Sequence, residues 1–236
     1  ITLVEKLFHP DFYGISERSC EWLRTFGIRA KGVIPNAINA EAFRGQASGR
    51  DFRRELGINR DTLMLVFTGR LIPEKGIQVL LDVMSGVTQY DVQLVLAGEG
   101  PLRPLVEQSG LPNVHLVGRL DSPDIAALLL QGDLFVLPSR SEGFCTSLLE
   151  ASACGTPSIV TDVGGARELI PDECYGWVVN EDGPSSQSFF DALSAYVTEG
   201  CRHTLVAERD ISHWVEVNYS WHKSATTLID VFSNYC

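Results

Sequence analysis

From residue 63 onward, short uninterrupted apolar runs alternate with stretches of helical character, and this alternation restricts the fold more than any other feature. The runs are LMLVFTG (63–69), VQLVLAG (92–98), NVHLVG (113–118), LFVLP (134–138), PSIVT (157–161) and GWVVN (176–180). Between and after them, helices are expected over Gly76–Met84, Leu102–Gln108, Pro123–Gln131, from near Phe144, over Ala166–Leu169 and over Ser185–Thr198. A strand that is apolar throughout, without alternation, belongs to a sheet covered on both faces. Strand–helix alternation then implies right-handed crossovers and a doubly wound parallel, Rossmann-like α/β sheet.

The first residues form a separate unit. FYGIS (12–16) followed by ERSCEWLRTFGI reads as one more strand–helix pair. The Pro35-Asn36-Ala37-Ile38-Asn39 segment and the polar stretch Arg44–Arg50 divide it from the rest, and such linkers mark domain boundaries. Residues 1–30 are therefore expected to be the last βα unit of a preceding domain whose remainder is missing. Residues 31–50 would be a linker, 51–212 the Rossmann-like domain, and 213–236 a C-terminal amphipathic helical segment packing back across the boundary.

Charge narrows the partners. With 19 Lys and Arg against 30 Asp and Glu, the net charge is −11. Nucleic-acid binding needs clustered cations, so it is disfavoured, as is unaided docking on anionic lipid. No apolar run approaches the ~18–20 residues of a membrane span. The six cysteines, at 20, 145, 154, 174, 201 and 236, include no C-x-x-C pair. They read as reduced, mostly buried thiols of a cytoplasmic protein, with no metal site. Peripheral membrane attachment of a full-length protein is left open.

Two clusters carry chemistry. The first is Gly69-Arg70-Leu71-Ile72-Pro73-Glu74-Lys75-Gly76, at the carboxyl end of one strand run and the start of a helix. Ligands of open α/β sheets bind at that end. Arg70 offers a planar fork and Lys75 a point charge, both suited to a diphosphate. The alternative is that both pair with surface acids. The second cluster is Glu142-Gly143-Phe144-Cys145-Thr146-Ser147-Leu148-Leu149-Glu150, after LFVLPS. If the helix starts near Phe144, the amides of Phe144, Cys145 and Thr146 are free to cradle an anion. Glu150 then lies ~9 Å along the helix from Phe144. Carboxylates at both positions flank the anion, able to accept from a sugar on one side and a ribose on the other. The alternative is two solvated acids around a helix start.

In these residues the chain resembles the family-4 retaining glycosyltransferases of GT-B fold, specifically their nucleotide-sugar-binding half. Gly69–Gly76 matches the family's G-R-x-x-x-x-K-G loop, and Glu142 with Glu150 matches its E-x7-E element. Ala97-Gly98-Glu99-Gly100-Pro101, the linker VIPNAIN and Val163–Glu168 match in order and spacing. Cys145 stands where the family more often has Gly, and Ala37 and Asn39 replace the linker's usual Gly and Asp.

The resemblance implies that Arg70 and Lys75 neutralise the donor diphosphate and that Glu142 holds hydroxyls of the donor sugar; these three are the expected catalytic group. Gly69, Phe144, Cys145, Thr146 and Glu150 would complete the donor site, with Glu150 accepting from the ribose. Arg119 and Leu120 would meet the base. The implied function is retaining transfer of a hexosyl unit from a UDP- or GDP-sugar to an acceptor hydroxyl, in polysaccharide or glycoconjugate synthesis. The acceptor site would lie largely in the missing N-terminal domain, so this chain alone is incomplete for turnover. No D-x-D occurs, so no metal and no other cofactor is expected. A non-catalytic nucleotide-sugar-binding module and a nucleotide-sugar epimerase are the rival readings.

Other residues read as structural. The five histidines are scattered. Trp177, Trp214 and Trp221 are expected in the core or at a domain interface. Ser139 and Ser141 read as loop or cap residues, since no G-x-S-x-G elbow surrounds them.

Overall fold

The computed structural model describes residues 10–171, 175–179, 185–198 and 206–233. Six parallel strands form the main sheet: β3 (Leu63–Thr68), β4 (Val92–Ala97), β5 (Val114–Gly118), β6 (Leu134–Leu137), β7 (Ser158–Thr161) and β8 (Gly176–Val179). Their order across the sheet is β5-β4-β3-β6-β7-β8. The chain therefore starts in the middle, works outward to one edge, then crosses back to build the other half. This is the doubly wound order whose crevice lies where the direction reverses, here between β3 and β6. Met64, Val66, Phe67, Leu94, Leu96, Leu134 and Phe135 are fully buried, which explains why these strands read as continuous apolar runs. Losing one such phenylalanine to alanine costs about 3–5 kcal/mol.

Helices α4 (Ile77–Gly86), α5 (Arg103–Gln108), α6 (Ser122–Gln131), α7 (Thr146–Ala153), α8 (Ala166–Leu169) and α9 (Ser186–Thr198) follow the strands in turn. A single 3₁₀ turn, Pro73–Lys75, precedes α4. α6 starts where Asp121 accepts from the Asp124 amide at 3.0 Å, an N-cap with Pro in the first turn.

The N-terminal unit comprises β1 (Tyr13–Gly14), α1 (Glu17–Thr25) and β2 (Gly32–Val33), with β1 and β2 paired in parallel apart from the main sheet. Ser16 and Ser19 cap α1 reciprocally, Ser19 N donating to Ser16 Oγ at 3.1 Å and Ser16 N to Ser19 Oγ at 3.0 Å. The stretch expected as a linker, 31–50, is more structured than its polarity suggests. It contributes β2 and a short helix, α2 (Ala40–Gly45), and α3 (Phe52–Leu56) follows. Phe43 and Phe52 are buried in the main core, and this burial holds both short helices in place.

Two C-terminal helices, α10 (Val206–Asn218) and α11 (Trp221–Ser233), complete the chain. They close over the segment between the two units. Ile38 N donates to the Tyr219 carbonyl at 2.8 Å, and Ser224 Oγ to the Pro35 carbonyl at 3.2 Å. Arg44 reaches from α2 to the Ala153 carbonyl at 2.7 Å, to Glu216 Oε1 at 2.6 Å and to Ser212 Oγ. Trp177 packs edge-on against Tyr196, with centroids 5.4 Å apart, and Trp214 lies against the core. Trp221 does not meet the core half of its expectation. At 64% exposure it lies outside the core, on the first turn of α11, ahead of the point where Ser224 brings that helix against the chain.

Candidate functional site

The loops after β3 and β6 meet at the reversal point. The β3 loop is laced to the β4 loop: Gly69 N donates to the Ala97 carbonyl at 3.0 Å, Leu71 N to the Glu99 carbonyl at 2.9 Å, and Leu102 N to the Leu71 carbonyl at 2.9 Å. Gly76 sits at φ 69°, between the 3₁₀ turn and α4, and a Cβ there would lie 1.9 Å from the Pro138 carbonyl oxygen. Only glycine lets the two loops come this close. Arg140 N donates to the Glu74 carbonyl at 2.7 Å and locks the contact.

This approach joins residues 67 positions apart. Lys75 Nζ lies 2.5 Å from Glu142 Oε1, with side-chain exposures of 16% and 10%. Ser139 Oγ donates to the same oxygen at 2.6 Å. Arg70, five residues earlier on the same loop, is exposed, and its side chain has no hydrogen-bond or ionic partner among the described residues. The cationic loop thus holds one spent charge and one unspent.

The second cluster differs from expectation in one respect. α7 begins at Thr146 instead of near Phe144. Cys145 takes the left-handed conformation, φ 71° and ψ 60°, from which helical hydrogen bonding cannot run backward. The first helical bond is Leu149 N to the Cys145 carbonyl, 3.1 Å. The amides of Thr146, Ser147 and Leu148 thus open α7 without helical acceptors, and those of Phe144 and Cys145 precede the helix. The Phe144 ring is buried, 5.7 Å from Tyr219. The Cys145 thiol is buried too, bonded to the Val163 carbonyl at 3.3 Å, and burial raises its pKa. Its preference for the neutral thiol removes nucleophilic chemistry from this position. The left-handed backbone gives a physical reason for the glycine usual at this place in the resembled family.

Glu150 lies on α7, largely buried, and its carboxyl has no hydrogen-bond or ionic partner among the described residues; burial pushes it up to about 7. Such a group is poised to gain hydrogen bonds from a ligand that ionises it. Arg119 and Leu120 follow β5, two strands from β3 and so roughly 10 Å away across the sheet; Arg119 is exposed and Leu120 packs on the core.

A cleft of about 580 Å³ opens beside Glu142, lined by Arg18, Trp22, Arg140, Glu142, Asp162 and Gly164 among others. One wall is α1. Arg18 pairs with Asp162 at 3.1 Å, and Glu17 N donates to Glu168 Oε1 at 2.8 Å. Sequence reasoning misses Arg18, Asp162 and Ser139 as site residues. No local signal marks the first two, which meet only through the docking of α1; Ser139 reads from sequence as no more than a loop or cap residue. Another hollow, about 420 Å³, lies at the amino ends of the strands around Asp133 and Thr156, the side of an open α/β sheet that ligand-binding loops do not occupy. Cys20, Cys145 and Cys154 are free thiols. Cys174, Cys201, Cys236, His9 and His203 lie outside the described residues. His115 bonds Gln93 at 2.8 Å, and burial lowers its pKa. Among the described residues, no group of three or more His, Cys, Asp or Glu is placed to hold a metal ion, and no helix is long and apolar enough to cross a membrane.

Comparison with known proteins gives a consistent result. A family model described as Glycosyl transferases group 1 matches residues 49–208. One component of the human phosphatidylinositol N-acetylglucosaminyltransferase is 30% identical over 207 residues, covering 85% of this chain and 40% of that protein. A putative teichuronic acid biosynthesis glycosyltransferase of Bacillus subtilis is 32% identical over 198 residues, covering 83% of this chain and 49% of that protein. Anabaena HepE, solved in complex with UDP, superposes with a TM-score of 0.79 at 22% identity, covering 94% of this chain and 63% of that chain. A glycosyltransferase from Rickettsia africae superposes with a TM-score of 0.83 at 16% identity, covering 99% and 67%. The chain spans about half the length of the curated relatives it matches. The structural likenesses establish a GT-B-like α/β fold, and the sequence match establishes more: the chain belongs to the glycosyl transferases group 1 family.

Proposed function

We propose that this chain carries the donor site of a retaining hexosyltransferase, binding a nucleoside-diphosphate sugar without a metal ion. The observation that carries this reading is the meeting of Lys75, Glu142 and Ser139 at the sheet's reversal point, on loops that also carry Arg70, whose side chain has no partner among the described residues. Arg70, Lys75 and the amides opening α7 stabilise the departing diphosphate, where negative charge develops. Glu142 accepts from hydroxyls of the sugar and Glu150 from the ribose, while the β5 loop at Arg119 and Leu120 meets the base. Residues 1–30 act as the last unit of an acceptor-side domain, and the cleft between α1 and Glu142 admits the acceptor hydroxyl. HepE's structures with UDP and UDP-glucose, and the N-acetylglucosaminyl transfer named for the human relative, support a UDP-sugar. Family membership favours transfer over the epimerase and binding-only readings.

Calorimetric titration with UDP, GDP and ADP and their common sugars tests the reading. One nucleoside diphosphate should bind clearly above the others, and its affinity should persist in excess EDTA. Failure of all three to bind, or a loss in EDTA restored by Mg²⁺ or Mn²⁺, counts against it.

Glu150 supplies a pH-dependent test. Its folded pKa is raised from 4.5 to about 7, so the fold keeps a proton that the unfolded chain has lost. Its contribution to stability is therefore present at low pH and is lost as pH rises through that window. Ribose hydroxyls donate to the ionised form and pull the pKa down. Binding of the nucleotide sugar, whose diphosphate has no group titrating near pH 6, should release close to one proton at about pH 6, visible as a buffer-dependent binding enthalpy, and almost none at about pH 8. Glu150→Ala should abolish the release. Equal enthalpies across buffers for the parent protein at the lower pH would remove Glu150 from the ribose.

A further inference from the structure

Ser139 is fully buried on the loop that carries Glu142, and its hydroxyl bonds Glu142 Oε1, the oxygen that also meets Lys75. Its backbone is held from both sides. Gly76 packs against the preceding Pro138 carbonyl, and Arg140 N, just after it, donates to the Glu74 carbonyl at 2.7 Å. None of these attachments uses the Lys75 side chain. Glu142 is itself confined, since a Cβ on Gly164 would lie 3.0 Å from the Glu142 Cβ. Both donors fall on Oε1, so Oε2 has no partner among the described residues, and Glu142 lines the cleft.

A diphosphate offers Lys75 more negative charge and more acceptor oxygens than one carboxylate does. Its arrival therefore competes with Glu142 for the ammonium. We infer that Ser139 is a positioning residue, which keeps Glu142 aimed at the donor sugar once the diphosphate has drawn Lys75 away. The inference rests on the proposal that Glu142 faces the sugar. Without ligand, two donors fix the carboxylate; with donor bound, the serine hydroxyl does so alone. Ser139 therefore matters in proportion to the sugar, and little to the nucleotide by itself.

The experiment titrates Ser139→Ala, Ser139→Cys, Ser139→Thr, Glu142→Gln and the Ser139→Ala/Glu142→Gln double variant with UDP, UDP-glucose and UDP-N-acetylglucosamine. Ser139→Ala and the near-isosteric Ser139→Cys, a poor donor, should bind UDP within about twofold of the parent. They should lose roughly 5–30-fold in affinity for the preferred UDP-sugar. Ser139→Thr, which keeps a hydroxyl, should retain more of that affinity than Ser139→Ala. The double variant should be no weaker than Glu142→Gln alone. Equal losses for UDP and UDP-sugar, or no loss for either, overturn the inference. If Glu142→Gln lowers UDP-sugar affinity while Ser139→Ala does not, only the role of Ser139 falls. If Glu142→Gln leaves it unchanged, the sugar-facing reading of Glu142 falls as well.

Discussion

Replacing Arg70 or Lys75 with alanine is expected to weaken nucleoside-diphosphate binding by about 2–3 kcal/mol in each case, the usual loss for one charge-assisted partner. The two variants should differ in the unliganded protein. Arg70 is exposed and unpartnered among the described residues, so its removal should leave stability within about 0.5 kcal/mol of the parent. Lys75 neutralises a carboxylate that is only 10% exposed, so Lys75→Ala leaves that charge with Ser139 alone. It should cost about 1–3 kcal/mol of stability in addition to the binding loss. Thermal or urea unfolding separates the two, and calorimetry reads the affinities. Unchanged affinity in both variants would end the diphosphate assignment.

A larger effect on the fold is expected from Gly76→Ala. The residue has φ 69°, where a side chain costs about 1–2 kcal/mol. The added Cβ would also lie 1.9 Å from the Pro138 carbonyl oxygen, a backbone atom that cannot rotate aside. Relief requires parting the β3 and β6 loops, for which overpacking adds about 1–3 kcal/mol. A total of roughly 2–5 kcal/mol should lower the denaturation midpoint markedly. Because the same movement separates Lys75 from Glu142, nucleotide-sugar binding should fall even where the variant remains folded. A variant with parental stability and affinity would mean that the loop contact does not set the site. Gly98→Ala offers a comparison, since its Cβ would lie 1.8 Å from the Gly69 carbonyl oxygen but does not touch the Lys75–Glu142 junction.

The six strands of the main sheet are legible in the sequence because both faces are covered, which leaves continuous apolar runs such as LMLVFT and LFVL. Helices α2 and α3 are not. Their N-caps, Asn39 and Asp51, each accept from an amide three residues on, but five or six residues with few buried side chains generate no periodicity. The start of α7 falls later than its sequence suggests because the left-handed backbone falls on a cysteine, and no sequence pattern announces such a conformation outside glycine. For the site, loop position identifies Arg70, Lys75 and Glu142 as candidates, and the E-x7-E spacing adds Glu150 on α7. The pairing of Lys75 with Glu142 depends on the β3–β6 adjacency, a crossover that skips two intervening strands, and no local pattern encodes it.

Tyr219 ties three distant parts of the chain together. Its hydroxyl donates to the Glu168 carbonyl at 2.7 Å, its carbonyl accepts from Ile38, and its ring meets Phe144 just ahead of α7. Synthesis proceeds from the N-terminus at about 5–20 residues per second, so the sheet can assemble while this tyrosine is still inside the ribosome. Until α10 and α11 emerge, Phe144 lacks its ring partner and the segment at Ile38 lacks its tether. The nascent chain thus passes through a stage in which the core is built but Phe144 and Ile38 are not yet held. A stall over α10 and α11 would strand the chain there, its sheet built and its inter-unit segment loose.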